Sequence, residues 1–329
     1  MSQDSKAKNI FSFFLRLGLS VLLLAYLFRK VDFEKTAVTL QGADFSFVGY
    51  AFGVFVILNF LLLARWTILI RALQLRIPGR VITRYFFVGL FGNLFLPSAI
   101  GGDLIKIIGL CRYNSERPKI VATVLLDRLS GFVGIVLTAI IAFLFGWKLV
   151  NHPTIITAII AMAVGSCLVG IVLFNQKVYS ACCWIFSAFP RLKKALMQMH
   201  YDIMMLKDNP LALVQVVGIS MICQVGLAIS FYCVARALHQ EIALGHLLIF
   251  VPMICVASSL PSIGGLGVRE AGAAYLFAKV GVETGVSVSI SLVNFLFMVL
   301  VGLAGGVIYF VTKNSYHDQK QLSSTTETG

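Results

Sequence analysis

The chain has 329 residues, of which 59% are hydrophobic and only 12% charged, and its mean hydropathy is +0.91. A soluble domain is nearer half apolar and a quarter charged, so a water-soluble globular fold is excluded. The net charge of +13 sits on Lys and Arg in loops between apolar segments, with no basic stripe interleaved with aromatics, which argues for positive-inside loops and against a nucleic-acid partner.

Several apolar stretches reach the ~20 residues that cross a ~30 Å hydrocarbon core. Helices are the expected spanning form, because a helix satisfies its own backbone hydrogen bonds in lipid. The alternating ~10-residue segments of a membrane barrel are missing. In chain order, Lys6 and Lys8 lie in a short tail, 1–9, before a first span at 10–28. Phe28-Arg29-Lys30 follows in place of a small-residue cleavage site, so this span is expected to be retained. Further spans are predicted at 47–64, 120–145, 154–174, 211–237 and 287–312. Two other apolar regions are interrupted. The region 81–104 contains Gly89, Gly92, Asn93, Pro97, Gly101, Gly102 and Asp103, and 247–281 contains Pro252, Pro261, Gly264, Gly265, Gly267, Arg269 and Glu270. Between 186 and 206, Phe189, Leu192, Leu196, Met199, Ile203 and Leu206 recur at spacings of three and four. That is an amphipathic helix, either lying on the cytoplasmic membrane surface or packed on the bundle. The Ser/Thr-rich tail 313–329 is expected to lack regular structure. The prediction is an all-α, polytopic helix bundle forming one membrane domain over 10–312.

Basic residues set the expected orientation. Arg65, Arg71, Arg76, Arg80 and Arg84 are read as one loop, Lys106, Arg112, Arg117 and Lys119 as a second, and Lys177, Arg191, Lys193, Lys194 and Lys207 as a third. All three face the cytoplasm, with both chain termini, if 81–104 enters and leaves on one side. The same parity puts 247–281 on the outer side, as a re-entrant pair or as two short tilted spans.

Leu96-Pro97-Ser98-Ala99-Ile100-Gly101-Gly102-Asp103 resembles Leu260-Pro261-Ser262-Ile263-Gly264-Gly265-Leu266-Gly267, with a one-residue gap. Both copies lie in interrupted regions, and the parity places them on opposite sides, which is the pattern of an inverted repeat around a transport site. Proline breaks each helix and glycine permits close backbone approach. A helix restarting after Gly-Gly points its amides at the gap, where an anion is favoured. The other reading is a pair of kinks that permit tight packing. Asp127 and Arg128 lie about two turns into the 120–145 span, and charge at that depth points to function. Asp127, Ser130, Gly131, Gly134 and Thr138 share one helix face, expected to look into the bundle. A functional carboxylate and a structural ion pair with an Arg on a neighbouring helix both fit Asp127. Arg269 and Glu270 follow the second break as Asp103 and Lys106 follow the first. Seven Cys without a CxxC pair, five scattered His and no P-loop give no disulfide framework, metal site, cofactor or ATP site.

At 96–103, at Asp127-Arg128 and at 261–270, the sequence resembles the lysylphosphatidylglycerol synthase transmembrane region, or flippase-like domain, over about residues 8–313. That resemblance implies a lipid-translocating domain in a bacterial or archaeal plasma membrane, without the soluble synthase domain of bifunctional members. The expected substrate is a membrane lipid with an anionic, glycosylated or isoprenoid-type headgroup. The expected site comprises Pro97, Ser98, Gly101, Gly102, Asp103, Asp127, Arg128, Pro261, Ser262, Gly264, Gly265, Gly267, Arg269 and Glu270. Two alternatives stand beside it: a membrane-embedded glycosyl- or aminoacyl-transferase with Asp127 as base, and a scaffold for a separate lipid-modifying enzyme.

Overall fold

A computed structural model describes residues 41–95, 100–147, 153–175, 209–258 and 266–326, with residues 179 and 204 as isolated positions. The predicted first span and the amphipathic helix at 186–206 lie outside these residues, Met204 apart. Among the described residues every regular element is a helix. In chain order they are α1 (Phe45–Ala72), α2 (Gly79–Phe95), α3 (Ile100–Leu110), α4 (Arg117–Gly146), α5 (Pro153–Phe174), α6 (Pro210–Ala237), α7 (Leu244–Ser258), α8 (Val268–Ala278) and α9 (Thr284–Thr326).

Four of them are long and apolar enough to cross a bilayer: α1, α4, α6 and the Thr284–Tyr309 part of α9. Their ends follow local chemistry. The Asp44 carboxylate accepts the Ser46 amide at 2.9 Å and caps α1. Proline in the first turn opens α4 and α6, where its missing N–H costs nothing. The polar residues from 313 onward, expected as a tail without regular structure, continue α9 as helix to Thr326, and extending a formed helix needs no new nucleus. α1 also runs beyond its predicted end at 64, which brings Arg65 out of the expected loop and into a helix that buries it to 7% exposure.

The two interrupted regions are each split. The first gives α2 and α3 on either side of residues 96–99, and the second gives α7 and α8 on either side of 259–267. α2 packs against both α3 and α9, α6 lies along α1 and α4, and α7 packs on α4 and α8. The largest apolar cluster joins Phe231, Val234, Leu247, Phe250, Phe277 and Ile290, from α6, α7, α8 and α9. A second cluster ties Trp66 and Ile70 of α1 to Ile82 and Phe86 of α2 and to Leu110 and Ile120.

Close backbone approach sets the seams around α2. A Cβ added at Gly102 would fall inside contact distance of the Gly89 carbonyl and 2.6 Å from Asn93 Oδ1. Gly302 and Gly306 of α9 similarly face Leu94 at 2.7 Å and the Phe91 ring at 2.6 Å, and Gly305 lies against the Phe87 carbonyl. In lipid, where neighbouring tails are as apolar as Leu, such small-residue contact is what drives helices together. On the outside, Phe145, Val214, Ile57 and Leu303 are exposed, as lipid-facing side chains of spans.

Candidate functional site

Arg65, Asp103, Lys106, Asp127 and Arg128 form one charged cluster where α1, α2, α3, α4 and α6 meet. Arg65 stands seven residues before the end of α1 and Asp127 ten after the start of α4, so the cluster lies ~10–15 Å from those ends at ~1.5 Å per residue. Arg65 donates through Nε to Asp127 Oδ1 at 2.8 Å, with Nη2 also 2.8 Å from that oxygen. Its Nη1 donates to Ser220 Oγ on α6 at 2.9 Å, and Ser220 Oγ in turn donates to the Val216 carbonyl. Gly131 and Gly134 keep this corner clear: a Cβ at 131 would sit 3.3 Å from Arg65 Nη1, and one at 134 would sit 2.5 Å from Ser220 Cβ. The small, polar face anticipated on α4 is turned inward, with Asp127, Ser130, Gly134 and Thr138 all buried.

Asp103 is shared. Its Oδ2 accepts from Arg128 Nε at 2.7 Å, while Lys106 Nζ lies 3.9 Å from Oδ1. Asp103 and Lys106 are buried, whereas the Arg128 side chain is 44% exposed. The Lys106 ammonium sits 4.9 Å from the ring centroids of both Trp66 and Phe86, a cation–π box. All four other charges of the cluster act on it. Gly89 makes room for it, since a Cβ there would lie 3.0 Å from Lys106 Cγ.

A second set forms around α8. Gly267 has φ 84°, a left-handed turn that glycine adopts without strain. Its N–H donates to Glu270 Oε2 at 2.6 Å, closing the first turn of α8 from within. The fully buried Glu270 also accepts from Ser291 Oγ on α9 at 3.1 Å, and Arg269 Nε lies 3.6 Å from Oε1. The Arg269 guanidinium covers the Phe295 ring at 5.1 Å. Deeper in α9, Asn294 Oδ1 accepts from Ser230 Oγ of α6 at 2.9 Å.

The structure therefore brings Asp103, Asp127 and Arg128 together, and groups Gly267, Arg269 and Glu270 separately. Pro97, Ser98, Pro261, Ser262, Gly264 and Gly265 lie outside the described residues. Gly101 and Gly102 are buried in the first turn of α3, which begins at Ile100 rather than after the glycine pair. The Gly102 amide is already taken by Asn93 Oδ1 at 2.9 Å, as that of Gly267 is by Glu270. Neither of these two amides is therefore open to a further acceptor. Arg65, Lys106, Asn93, Ser220 and Ser291 belong to the two sets but were not among the expected site residues. For Arg65 the available signal was an Arg directly following an apolar run and a lone Asp in another span.

A cleft of about 270 Å³ opens between α4, α6 and α7, lined by Thr138, Ile141, Phe145, Met221, Val225 and Leu248. Among the described residues, Thr138 Oγ1 is buried there without a hydrogen-bond partner. Among the described residues no three His, Cys, Asp or Glu side chains converge as metal ligands would.

Comparison with known proteins agrees with a membrane bundle. The chain is similar to the UPF0104 membrane protein PH1989 of Pyrococcus horikoshii, at 24% identity over 331 residues that cover 92% of this chain and 97% of that one. No solved structure matches. Residues 13–306 match the lysylphosphatidylglycerol synthase TM region. With the matched region spanning most of the chain and four helices of membrane-crossing length among the described residues, the protein is an integral membrane protein of the lysylphosphatidylglycerol synthase transmembrane region family.

Proposed function

We propose that the protein is a lipid carrier, passing an anionic, glycosylated or isoprenoid-type headgroup across the membrane while the acyl or isoprenoid tails stay in the bilayer. The observation that supports this most is the Asp103–Arg128 pair: a half-exposed guanidinium held on a buried carboxylate within a five-charge cluster at membrane depth. Charges at such depth are costly and are kept for binding or conduction. A pair with one exposed member can exchange partners, because an incoming phosphate or carboxylate offers the guanidinium an anionic oxygen, as Asp103 Oδ2 does at 2.7 Å. The two split helical regions would serve as the moving parts on either side of the headgroup path. Both termini would face the cytoplasm of a bacterial or archaeal cell, as the basic loops imply.

A transferase using Asp127 as a base is the weaker reading, since Arg65 already occupies Oδ1 through two N–H groups. The test is headgroup translocation in liposomes containing the purified protein, with fluorescent analogues of phosphatidylglycerol and of a glycosylated isoprenyl phosphate. Wild-type protein is expected to exceed empty liposomes, and Arg128→Gln to approach them. Rates equal to empty liposomes for every lipid, with and without a proton gradient, would refute translocation.

A further inference from the structure

Several hydroxyls inside the helices give their proton to the carbonyl one turn back. Thr67 donates to Leu63 at 2.8 Å, Ser220 to Val216 at 2.8 Å and Ser289 to Gly285 at 2.9 Å. Thr138 does not. Its side chain, 5% exposed, lines the cleft between α4, α6 and α7, where Oγ1 has no hydrogen-bond partner among the described residues. Thr138 stands eight residues before the end of α4 at Gly146, or ~12 Å at ~1.5 Å per residue. Trp147 follows that end exposed, and Trp is a residue type of the membrane–water interface. Thr138 therefore sits toward the middle of a ~30 Å hydrocarbon core. The cleft faces the bilayer at that depth, since Ile141, Phe145 and Val225 line it and are exposed.

These features select an occupant. A volume of about 270 Å³ falls just below the ~300–1,000 Å³ of whole-ligand pockets, so a segment of a lipid fits and a complete lipid does not. Among the described residues no charged side chain lines the cleft, so an ionic headgroup would lose its water there without compensation. Water fits poorly too, because a buried water keeps about three partners and Thr138 is the one polar side chain of the lining. A plain hydrocarbon chain would leave the hydroxyl unmet. The remaining class is a chain segment carrying an uncharged acceptor, and in an acyl lipid that group is the ester carbonyl. We propose that the cleft binds the ester-linked end of an acyl chain, with Thr138 Oγ1 donating to the ester carbonyl and Ile141, Phe145, Met221, Val225 and Leu248 packing on the methylenes beside it. The inference rests on the carrier reading for its purpose: a lipid whose headgroup crosses must also draw its ester linkage through the core, and Thr138 meets that carbonyl where water is scarce. The binding itself stands on the cleft alone.

The experiment sets didecanoyl phosphatidylglycerol against its didecyl ether analogue, which keeps the headgroup and chain length but has no carbonyl. The two compete at equal concentration for the purified full chain in detergent micelles, and bound lipid is identified by native mass spectrometry. Wild type is expected to retain the ester about fivefold or more over the ether. Thr138→Ser keeps the donor and should keep the preference. Thr138→Val should bring the two lipids to within about twofold of each other, with ether binding and unfolding as in wild type. Ala142→Phe fills the cleft from α4 and should weaken both lipids. The phosphatidylcholine pair should show the same ester preference, because the lining holds no charge to read a headgroup. Equal retention of ester and ether by wild type, a preference that survives in Thr138→Val, unchanged binding in Ala142→Phe, or a preference confined to phosphatidylglycerol overturns the proposal. Should Ala142→Phe fail to fold, the Thr138 variants alone decide. An ester preference that is lost in Thr138→Val, together with no translocation by wild type, sinks the carrier reading alone. Translocation by wild type without any ester preference sinks this inference alone.

Discussion

Replacing Arg65 with Met tests whether the Arg65–Asp127–Ser220 corner holds the bundle together. The substitution keeps the unbranched apolar stem but deletes the three donor contacts, at 2.8, 2.8 and 2.9 Å. It leaves both Asp127 and Ser220 buried, at 8% and 1% exposure. Removing one partner of a buried ion pair costs about 3–5 kcal/mol, because an uncompensated charge stays behind. Asp127→Leu strands the guanidinium in the same way, with a similar cost. Replacing both at once removes both charges, and such apolar exchanges are often neutral or mildly stabilising. The singles should therefore lose about 3–5 kcal/mol each and the double variant no more than about 2, a coupling of several kcal/mol. The assay is reversible unfolding in mixed micelles titrated with sodium dodecyl sulfate, followed by Trp fluorescence. Losses below about 1 kcal/mol in each single variant, or a double variant equal to the sum of the two, would refute the reasoning.

Substitutions at four further positions probe other parts of the bundle. Gly305→Leu forces side-chain bulk onto the Phe87 carbonyl and should cost about 1–3 kcal/mol, whereas Gly165→Ala, with no atom within 4 Å of the added Cβ, should be neutral or slightly stabilising in the same micelle-unfolding assay. Glu270→Ala strips the acceptor from the Gly267 amide and the Ser291 hydroxyl and should cost about 2–4 kcal/mol, with Glu270→Gln recovering much of that because an amide oxygen still accepts; equal melting temperatures for the two variants would count against the capping role. Thr138→Val replaces a buried hydroxyl without a partner by a methyl group and should be neutral or stabilising by up to about 1 kcal/mol, so a marked loss of stability would mean that the hydroxyl is bonded in the folded protein.

Much of the bundle is legible in hydropathy, because lipid demands long apolar runs and the residues that interrupt them stand out. The inward face of α4 was readable for the same reason: Asp127, Ser130, Gly134 and Thr138 recur at helical spacing, and polar groups in a span turn away from lipid. The end of α1 was not. Arg65 follows an apolar run and looks like the first loop residue, yet its charge is matched by Asp127, 62 positions later, so the helix carries it inside. Hydropathy is a local property and that pairing is not. The glycine pair shows the same limit. Gly101-Gly102 marks a break, but Asn93, on the other side of the break, decides what the Gly102 amide binds. Nor does residue type alone reveal that Lys106 is sealed against Trp66 and Phe86 while its neighbour Arg128 is half open.

The seams around α2 give hydrophobicity an unusual sign. Gly102 and Gly109 on one side, and Gly302, Gly305 and Gly306 on the other, meet α2 through atoms they do not possess. At these five positions a Leu or Ile would raise the hydropathy of the chain and yet push α3 or α9 off its neighbour. A variant richer in apolar bulk here would be a better solute for the bilayer and a poorer fold. The affinity of this chain for lipid and the affinity of its helices for one another are thus set by opposite choices at the same positions.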